Sequence, residues 1–472
     1  MHIIEHIYIN GNFVTPEGNE WIDIIKPADG SVIGKARLAN SGDAERAISA
    51  AHAAFPAFAA IRVEERITLL EQMYASVKAA EAELHAAIVL EYGAPSSRSH
   101  WMASYPADVI RQVIGELKNY SFTQQAGRAI VQMVPLGVAG LITPWNSNAG
   151  FICHKLATAV AAGCTTVIKP SEFSVLQTDV IARALHRAGL PGGVFNIVTG
   201  RGDTAGHAIS TSPKVAKISF TGSTASGKAI LRSAAETFKR VTLELGGKSP
   251  TLILPDADAA SAAEMAVQAG FINSGQACIA GTRILVPVQR KAEFEQALTA
   301  AVRKHRSGNP AEHETTVGPM VNEKQWQRVQ RYIALGEQEG ARLLAGGTGR
   351  PEGLQAGWYV KPTLFGDVTN SMQIARDEIF GPVLSIITYH DEAEAIAIAN
   401  ETDYGLSALV IGQDEAHARQ VGEQILAGRV MINTLAHEPR APFGGFRCSG
   451  IGREMGHWGI TAFLEPRAVT LA

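Results

Sequence analysis

The sequence predicts an α/β protein of more than one domain, and three observations carry that expectation. From Gly137 onward, short apolar runs alternate with helix-like stretches, the pattern of a parallel sheet covered on both faces. The chain has 472 residues, too many for one hydrophobic core. A second succession of apolar runs begins at Ser249, just after the glycine pair Gly246-Gly247.

Taken in order, residues 1 to about 40 hold short alternating pieces. His6-Ile7-Tyr8-Ile9 precedes the turn Asn10-Gly11-Asn12, and Trp21-Ile22-Asp23-Ile24 and Ser31-Val32-Ile33 follow, so a small hairpin layer is expected. Ser41-Gly42-Asp43-Ala44 then reads as a helix cap. Apolar residues at three and four spacing through Ala47, Ala51, Ile67, Leu70, Met73 and Val77 predict helices as far as Leu117. Residues 119–136 turn polar and then strand-like, an arm that leaves the domain. Strands are expected over 138–142, 165–168, 194–198, 217–220 and 241–245, and helices over 151–162, 174–188, 202–210 and 227–238. In the second region, strands are expected at 249–255, 284–286, 358–360 and 384–387, and a terminal strand over 463–471.

Composition narrows the function. Hydrophobic residues make up 46 %, charged residues 18 %, and the net charge is −3, which favours neither nucleic acid nor an anionic membrane as partner. No apolar run approaches the ~20 residues that span a bilayer. The first residues, Met1-His2-Ile3-Ile4-Glu5, lack the basic and apolar regions of a secretory signal. Cys153, Cys164, Cys278 and Cys448 are scattered without CxxC spacing. They read as the reduced thiols of a cytoplasmic protein, with neither a disulfide frame nor a metal site.

Ligands in parallel sheets sit beyond the C-terminal strand ends, and the chemistry-bearing residues fall there. After 138–142 comes Thr143-Pro144-Trp145-Asn146, whose amide can donate to an oxyanion or form an Asx turn. After 165–168 comes Lys169-Pro170-Ser171-Glu172, a set for ribose hydroxyls or a solvated helix start. Thr221-Gly222-Ser223 runs into a helix N-terminus, where backbone can approach phosphate, although it is not the G-x-G-x-x-G fingerprint. Glu244, before Leu245-Gly246-Gly247, is a general base or a strand-end glutamate. A helix over 259–271 breaks at Asn273-Ser274-Gly275 and presents Cys278 on a tight turn. There a thiol is a nucleophile if something makes it a thiolate, and otherwise an inert small residue.

Seven motifs together resemble the aldehyde dehydrogenase superfamily, its non-acylating NAD(P)-dependent members, over nearly the whole chain. They are Pro144-Trp145-Asn146, Lys169-Pro170-Ser171-Glu172, Phe220-Thr221-Gly222-Ser223, Glu244-Leu245-Gly246-Gly247-Lys248, Gly275-Gln276-Ala277-Cys278, Glu378-Ile379-Phe380-Gly381-Pro382 and Pro442-Phe443-Gly444-Gly445. The resemblance implies a Rossmann-like cofactor domain over 1–118 and 137–246, a catalytic domain over 247–447, and a small β oligomerisation arm over 119–136 and 448–472, giving a homodimer or homotetramer.

It further implies Cys278 as nucleophile, Asn146 as oxyanion donor, Glu244 as general base, and Lys155 and Glu454 as groups behind the base that relay protons. Cofactor contacts would come from Thr143, Pro144, Trp145, Lys169, Ser171, Glu172 and Gly202 on one side. Phe220, Thr221, Gly222, Ser223, Leu245, Gly246, Glu378 and Phe380 would supply the rest. Glu172 beside a ribose hydroxyl favours NAD, and Lys169 leaves room for NADP.

The implied reaction is oxidation of a small-molecule aldehyde, aliphatic or aromatic, to the acid; the alternative is a carboxylate-bearing semialdehyde. Asn146, Ser147, Phe151, His154, Ile279, Arg440 and Phe443 are the expected substrate contacts, with Ser147 widening the tunnel mouth and Arg440 either pairing a substrate carboxylate or sitting on the surface. Two other classes stay open, a silent family member used for binding and a cysteine hydrolase needing no nicotinamide; the first should have lost Cys278, Asn146 or Glu244.

Overall fold

A computed structural model describes residues 1–470, so Leu471 and Ala472, to which the expected terminal strand and arm extended, lie outside the described residues. Two large sheets organise the chain. The first has eight strands in the order Gly450–Ile451, Arg240–Glu244, Val215–Thr221, Val138–Ile142, Thr165–Lys169, Phe195–Ile197, Ile7–Ile9 and Asn12–Val14. Its five central strands, from Arg240–Glu244 to Phe195–Ile197, run parallel. Every residue of Val138–Ile142 and Thr165–Lys169 is buried, because helices cover both faces. Each Val, Leu or Ile in these runs contributes ~1.5–3 kcal/mol by leaving water.

The second sheet has seven strands in the order Arg342–Ala345, Thr363–Gly366, Val383–Tyr389, Arg283–Pro287, Pro250–Ile253, Ser407–Ile411 and Arg429–Ile432. All pairs are parallel except the first.

A three-stranded antiparallel sheet stands apart, made of Thr123–Ala126, Ala129–Pro135 and Leu464–Thr470. Its middle strand, Ala-Ile-Val-Gln-Met-Val-Pro, is only half-buried along its whole length. A fourth sheet joins His2–Ile4, Val32–Arg37 and Trp21–Ile25.

Several expectations are corrected. The hairpin Ile7–Ile9 to Asn12–Val14 forms across Asn10 and Gly11, both at positive φ (51° and 83°), as a two-residue turn requires. It extends the large sheet instead of building a separate layer, because Ile7, Tyr8 and Ile9 are all buried and Tyr8 stacks on Phe195 at 4.6 Å. The helix Ser41–Ala59 is capped by Asn40, not Ser41: Asn40 Oδ1 accepts from Asp43 N and Asp43 Oδ2 from Asn40 N, both at 3.0 Å.

The stretch 202–210 is helical as expected, though its first turn, Gly202–Gly206, is a π-helix that runs into the α-helix His207–Thr211. Residues 358–360 form no strand. Trp358 N donates to Pro27 O, while Trp358 O, Tyr359 O and Val360 O accept from Met320 N, Trp326 Nε1 and Ser307 Oγ, so loops satisfy this backbone; the sheet takes Thr363–Gly366 instead. The arm expected over 448–472 narrows to Leu464–Thr470, because Gly450–Ile451 pairs with Arg240–Glu244 at the edge of the large sheet.

Candidate active site

The site lies where the C-terminal strand ends of the first sheet face the second unit. A groove of about 480 Å³ runs from Lys169, Ser171, Glu172 and Gly202 to Thr143, Pro144, Trp145 and Phe220–Ser223. It continues into a second space of about 440 Å³ that shares Pro144, Trp145, Thr221, Gly222 and Ser223 and adds Asn146, Glu244, Leu245, Gly246, Cys278, Glu378 and Phe380. The strand-end motifs and the cysteine turn thus line one continuous cleft.

Local chemistry explains how the turn is built. The helix Ala259–Phe271 stops at Ile272, and Asn273 and Ser274 take left-handed backbone angles (φ 55° and 59°). These cost energy in non-glycine residues and are held by the surroundings. Asn273 Nδ2 donates to Asn146 O at 2.9 Å, and Ser274 Oγ accepts from Gly318 N at 2.8 Å. Gln276 ties the turn to its neighbours: its Oε1 accepts from Val321 N at 3.0 Å and its carbonyl accepts from Asn146 Nδ2 at 2.9 Å. One N–H of the Asn146 amide is therefore spent on positioning, which leaves its second N–H for a ligand.

The glycine pair after Glu244 is required by close approach. A Cβ at Gly247 would stand 2.4 Å from Cys278 O, and one at Gly246 would stand 2.4 Å from Glu378 Oε2. Only glycine lets the Cys278 turn and the Glu378 carboxylate reach the same strand end. Glu378 Oε1 accepts from Gly247 N at 3.1 Å.

Electrostatics set the resting state. Enclosure of the Cys278 sulfur pushes its thiol up to about 12, with Glu378 and Glu244 adding; the N–H groups of Cys278 and Ile279 oppose them. Burial raises Glu244 well above the ordinary carboxylate range, Glu454 adds to this, and Lys155 and Arg453 oppose it. Neither Glu244 oxygen has a hydrogen-bond partner among the described residues. A buried acid without partners is unusual and is poised to exchange a proton with something that enters the cleft.

Behind Glu244, Lys155 Nζ donates to Glu454 and, at 2.8 Å, to Ser219 Oγ, which itself donates to Glu454 Oε1 at 2.9 Å. Burial alone would raise Glu454, but Lys155 and His154 bring it below its ordinary value. His154, expected on the substrate wall, is buried with Nδ1 3.8 Å from Glu454 Oε2 and so belongs to this charge cluster.

The groove fits a dinucleotide. The helix Thr224–Ala235 opens its N-terminus onto it, with Ser223 Oγ accepting from Ser226 N at 3.2 Å. Thr221 Oγ1 is buried beside it with no partner among the described residues. Lys169 Nζ donates to Gly200 O at 2.8 Å and lies 3.6 Å from Glu172 Oε2. Burial lowers the Lys169 ammonium and Glu172 opposes this. Thr143 Oγ1 is committed to Asn148 Oδ1 at 3.2 Å. Enclosure raises Glu378 to about 7, against Gly247 N–H, Arg328 and Lys248. Phe380, at φ 62°, meets Trp145 edge to face at 5.4 Å.

Of the remaining expected substrate residues, Ser147, Phe151 and Ile279 are half-buried; Ser147 and Ile279 follow Asn146 and Cys278 directly in the chain, and Phe151 N donates to Ser147 O at 3.1 Å. Phe443 is tied to Glu454 by two backbone hydrogen bonds of 2.8 and 2.7 Å, and its ring lies 6.5 Å from His437. Arg440 is not brought into the site. Its side chain is 76 % exposed and its Nε bonds Glu438 at 3.2 Å, because the loop carries its own carboxylate two residues away.

Other residues were not visible as site residues in the sequence. Gln325 Nε2 donates to Phe380 O at 2.8 Å and Arg328 Nη2 to Glu378 O at 2.6 Å, fixing the Glu378–Phe380 loop from a helix about 50 residues earlier. Tyr404 closes the same space. Arg429, at the start of Arg429–Ile432, has no carboxylate partner among the described residues; burial lowers its guanidinium, and the Cys278 sulfur and Tyr105 hydroxyl lie within Coulombic reach and oppose this. No local signal marks these four, since each acts across the fold.

Among the described residues, no group of three metal-binding side chains occurs, and no helix is long and apolar enough to cross a membrane.

Known proteins resemble this chain over nearly its whole length. Residues 13–469 match the model of the aldehyde dehydrogenase family. A putative aldehyde dehydrogenase of Staphylococcus haemolyticus is 43 % identical over 465 residues, 98 % of each chain. Aldehyde dehydrogenase C of Pseudomonas syringae, crystallised as a cysteine-to-alanine mutant with NAD+ and octanal, superposes with a TM-score of 0.97 at 42 % identity, covering 99 % of this chain and 96 % of that one. The NAD+ complex of a Bacillus cereus aldehyde dehydrogenase has a TM-score of 0.95 at 37 % identity, with 99 % and 96 % covered.

Proposed function

The chain belongs to the aldehyde dehydrogenase family, an oxidoreductase acting on aldehydes, and from that premise we propose that it oxidises an aldehyde to the carboxylic acid with NAD through a thioester on Cys278. The observation that carries this reading is that Asn146, Glu244 and Cys278 line one cleft together with Glu378 and Phe380. The NAD+ bound by two structural neighbours supports the cofactor, and Lys169, Ser171, Glu172, Gly202 and Thr221–Ser223 would hold its adenosine and pyrophosphate part. Leu245, Gly246, Glu378 and Phe380 would hold the nicotinamide end.

The residues divide the chemistry as follows. Glu244 takes the proton of the Cys278 thiol, whose raised pKa means that it does not ionise unaided. The thiolate adds to the aldehyde carbon and forms a thiohemiacetal oxyanion, which the free N–H of Asn146 and the backbone N–H of Cys278 stabilise. Bound NAD supplies the acceptor for the hydride that the oxidised carbon gives up. The remaining thioester carbon is attacked by water, from which Glu244 takes a proton, and Cys278 leaves as thiolate with the acid as product. Glu244 fits hydrolysis and would be idle in acyl transfer to coenzyme A. Lys155 and Glu454 pass the proton onward from Glu244, a role supported by their ion pair behind it.

Octanal on the P. syringae relative supports aliphatic aldehydes as substrates. Arg429 favours a second reading, a carboxylate-bearing semialdehyde, because among the described residues it is a half-buried cation near the nucleophile whose only side-chain partner is the weak acceptor Met431 Sδ, with no carboxylate on it. The largely apolar, half-buried strand Ala129–Pro135, paired with the mostly exposed strand Leu464–Thr470, supports assembly as a homodimer or homotetramer. Scattered unpaired cysteines support a cytoplasmic site of action. The test is a substrate panel with NAD: NADH formation with aldehydes is expected, and ester hydrolysis alone, with no NADH from any aldehyde, would exclude the proposal.

A further inference from the structure

The proposed chemistry leaves one enclosed cation unused. Residues 245–249 carry the chain from the first sheet to the second, between Arg240–Glu244 and Pro250–Ile253. Their backbone is held from two sides: Gly247 N donates to Glu378 Oε1 at 3.1 Å, and Lys248 O accepts from Arg283 Nε at 3.0 Å. The Lys248 side chain is 1 % exposed, and its Nζ has no hydrogen-bond partner among the described residues. An ammonium left bare in the interior is costly unless charge nearby offsets it. Arg283 is a like charge, fixed on Asn370 Oδ1, Ile398 O and Ala399 O. Asp377 is engaged by the Tyr332 hydroxyl at 2.9 Å.

Glu378 is short of compensation in the same way. Its carboxylate accepts one backbone hydrogen bond and packs so closely on Gly246 that no side chain fits there. Arg328 serves the Glu378 backbone carbonyl, at 2.6 Å. Enclosure pushes Lys248 down to about 7, with Arg283 and Arg328 adding and Glu378 and Asp377 opposing. It pushes Glu378 up to about 7, against Gly247 N–H, Arg328 and Lys248. Acid and amine therefore titrate together, and one proton settles on one or the other. Tyr404 and Cys278, which also face Glu378, are both raised and stay neutral in this range.

We infer that Lys248 is a positioning residue for cofactor binding: from the segment that seats Glu378 it supplies the positive charge against which Glu378 stays a carboxylate, an acceptor for the hydroxyls of the ribose beside the nicotinamide. The inference rests on the reading of the cleft as a dinucleotide site with Glu378 at its nicotinamide end. A protonated carboxyl turns one of its oxygens into a donor, so it serves two neighbouring ribose hydroxyls less well than the anion does. With Lys248 present, the proton that enclosure would put on Glu378 sits on the amine. Lys248 acts through Glu378 alone.

The test compares ADP-ribose, which carries the second ribose, with ADP, which lacks it. Dissociation constants are read by calorimetry on the full chain, just below neutral pH and again in alkaline buffer. Lys248→Met keeps the apolar stem and removes the charge. Just below neutral it should weaken ADP-ribose by about tenfold and ADP by less than about twofold. In alkaline buffer the gap should close, because Glu378 is then ionised without help. Lys248→Gln should behave alike and serves if the Met variant does not fold. On a Glu378→Gln background, Lys248→Met should weaken ADP-ribose no further. Unchanged ADP-ribose binding, equal loss for both nucleotides, a gap that persists in alkaline buffer, or effects of the two substitutions that simply add would each overturn the inference. Wild-type protein that binds ADP-ribose no more tightly than ADP would remove the reading of Glu378 beneath it, and the inference with it.

Discussion

Asn146→Ala removes the donor proposed to face the developing oxyanion. In the structure the amide uses one N–H on Gln276 O at 2.9 Å and has one left. Deleting a single donor of this kind costs about 2.7–4 kcal/mol in the transition state, or ~10²–10³ in kcat. The fold should tolerate the change. Gln276 O keeps a second donor, Asn273 Nδ2 at 3.3 Å, and Asn273 still reaches the backbone carbonyl of residue 146, so the stability cost stays near ~1 kcal/mol. The assay is single-turnover NADH formation with octanal and saturating NAD, paired with thermal unfolding of the same sample. A drop of ~10²–10³ in the burst rate with an almost unchanged unfolding temperature is expected. A loss of about tenfold or less would place oxyanion stabilisation elsewhere and refute the role given to Asn146.

Three further outcomes are expected. Glu244→Gln should slow steady-state turnover by ~10²–10⁴. It should still give an NADH burst when the reaction starts at alkaline pH, where hydroxide can ionise Cys278; normal turnover would show that another group activates water. The wild-type deacylation rate should rise with pH well beyond the ordinary carboxylate range, because a base whose pKa is raised carries its charge only above that raised value. A pH-independent rate across the neutral region would contradict the buried state of Glu244. Arg429→Leu should raise KM for a carboxylate-bearing aldehyde by about tenfold while changing octanal much less; equal effects would leave the semialdehyde reading without support.

The sequence made the parallel sheets legible because their strands are short, apolar and flanked by turns. It made the reactive residues legible because they cluster at strand ends and at one broken helix. It did not show why two glycines follow Glu244; only the approach of Cys278 O and Glu378 to those positions explains them. Arg429, Gln325, Arg328 and Tyr404 stayed hidden as site residues because what they act on lies far away in sequence, and a lone arginine, glutamine or tyrosine on an element carries no local mark. For Arg440 the sequence left two readings open, a partner for a substrate carboxylate or a surface residue, and the structure takes the second, since Glu438, two residues away, holds the guanidinium in solvent. The false strand at 358–360 shows the same limit, since an apolar extended run can satisfy its backbone on loops as well as on a ladder.

The central claim is that Cys278 becomes acylated during aldehyde oxidation. Intact-protein and peptide mass spectrometry of Glu244→Gln, quenched in acid just after mixing with octanal and NAD at alkaline pH, measures this directly. The account expects an octanoyl adduct on the peptide bearing Cys278, in amount equal to the NADH burst. NADH formed with no adduct, or with the acyl group on another residue, would contradict it.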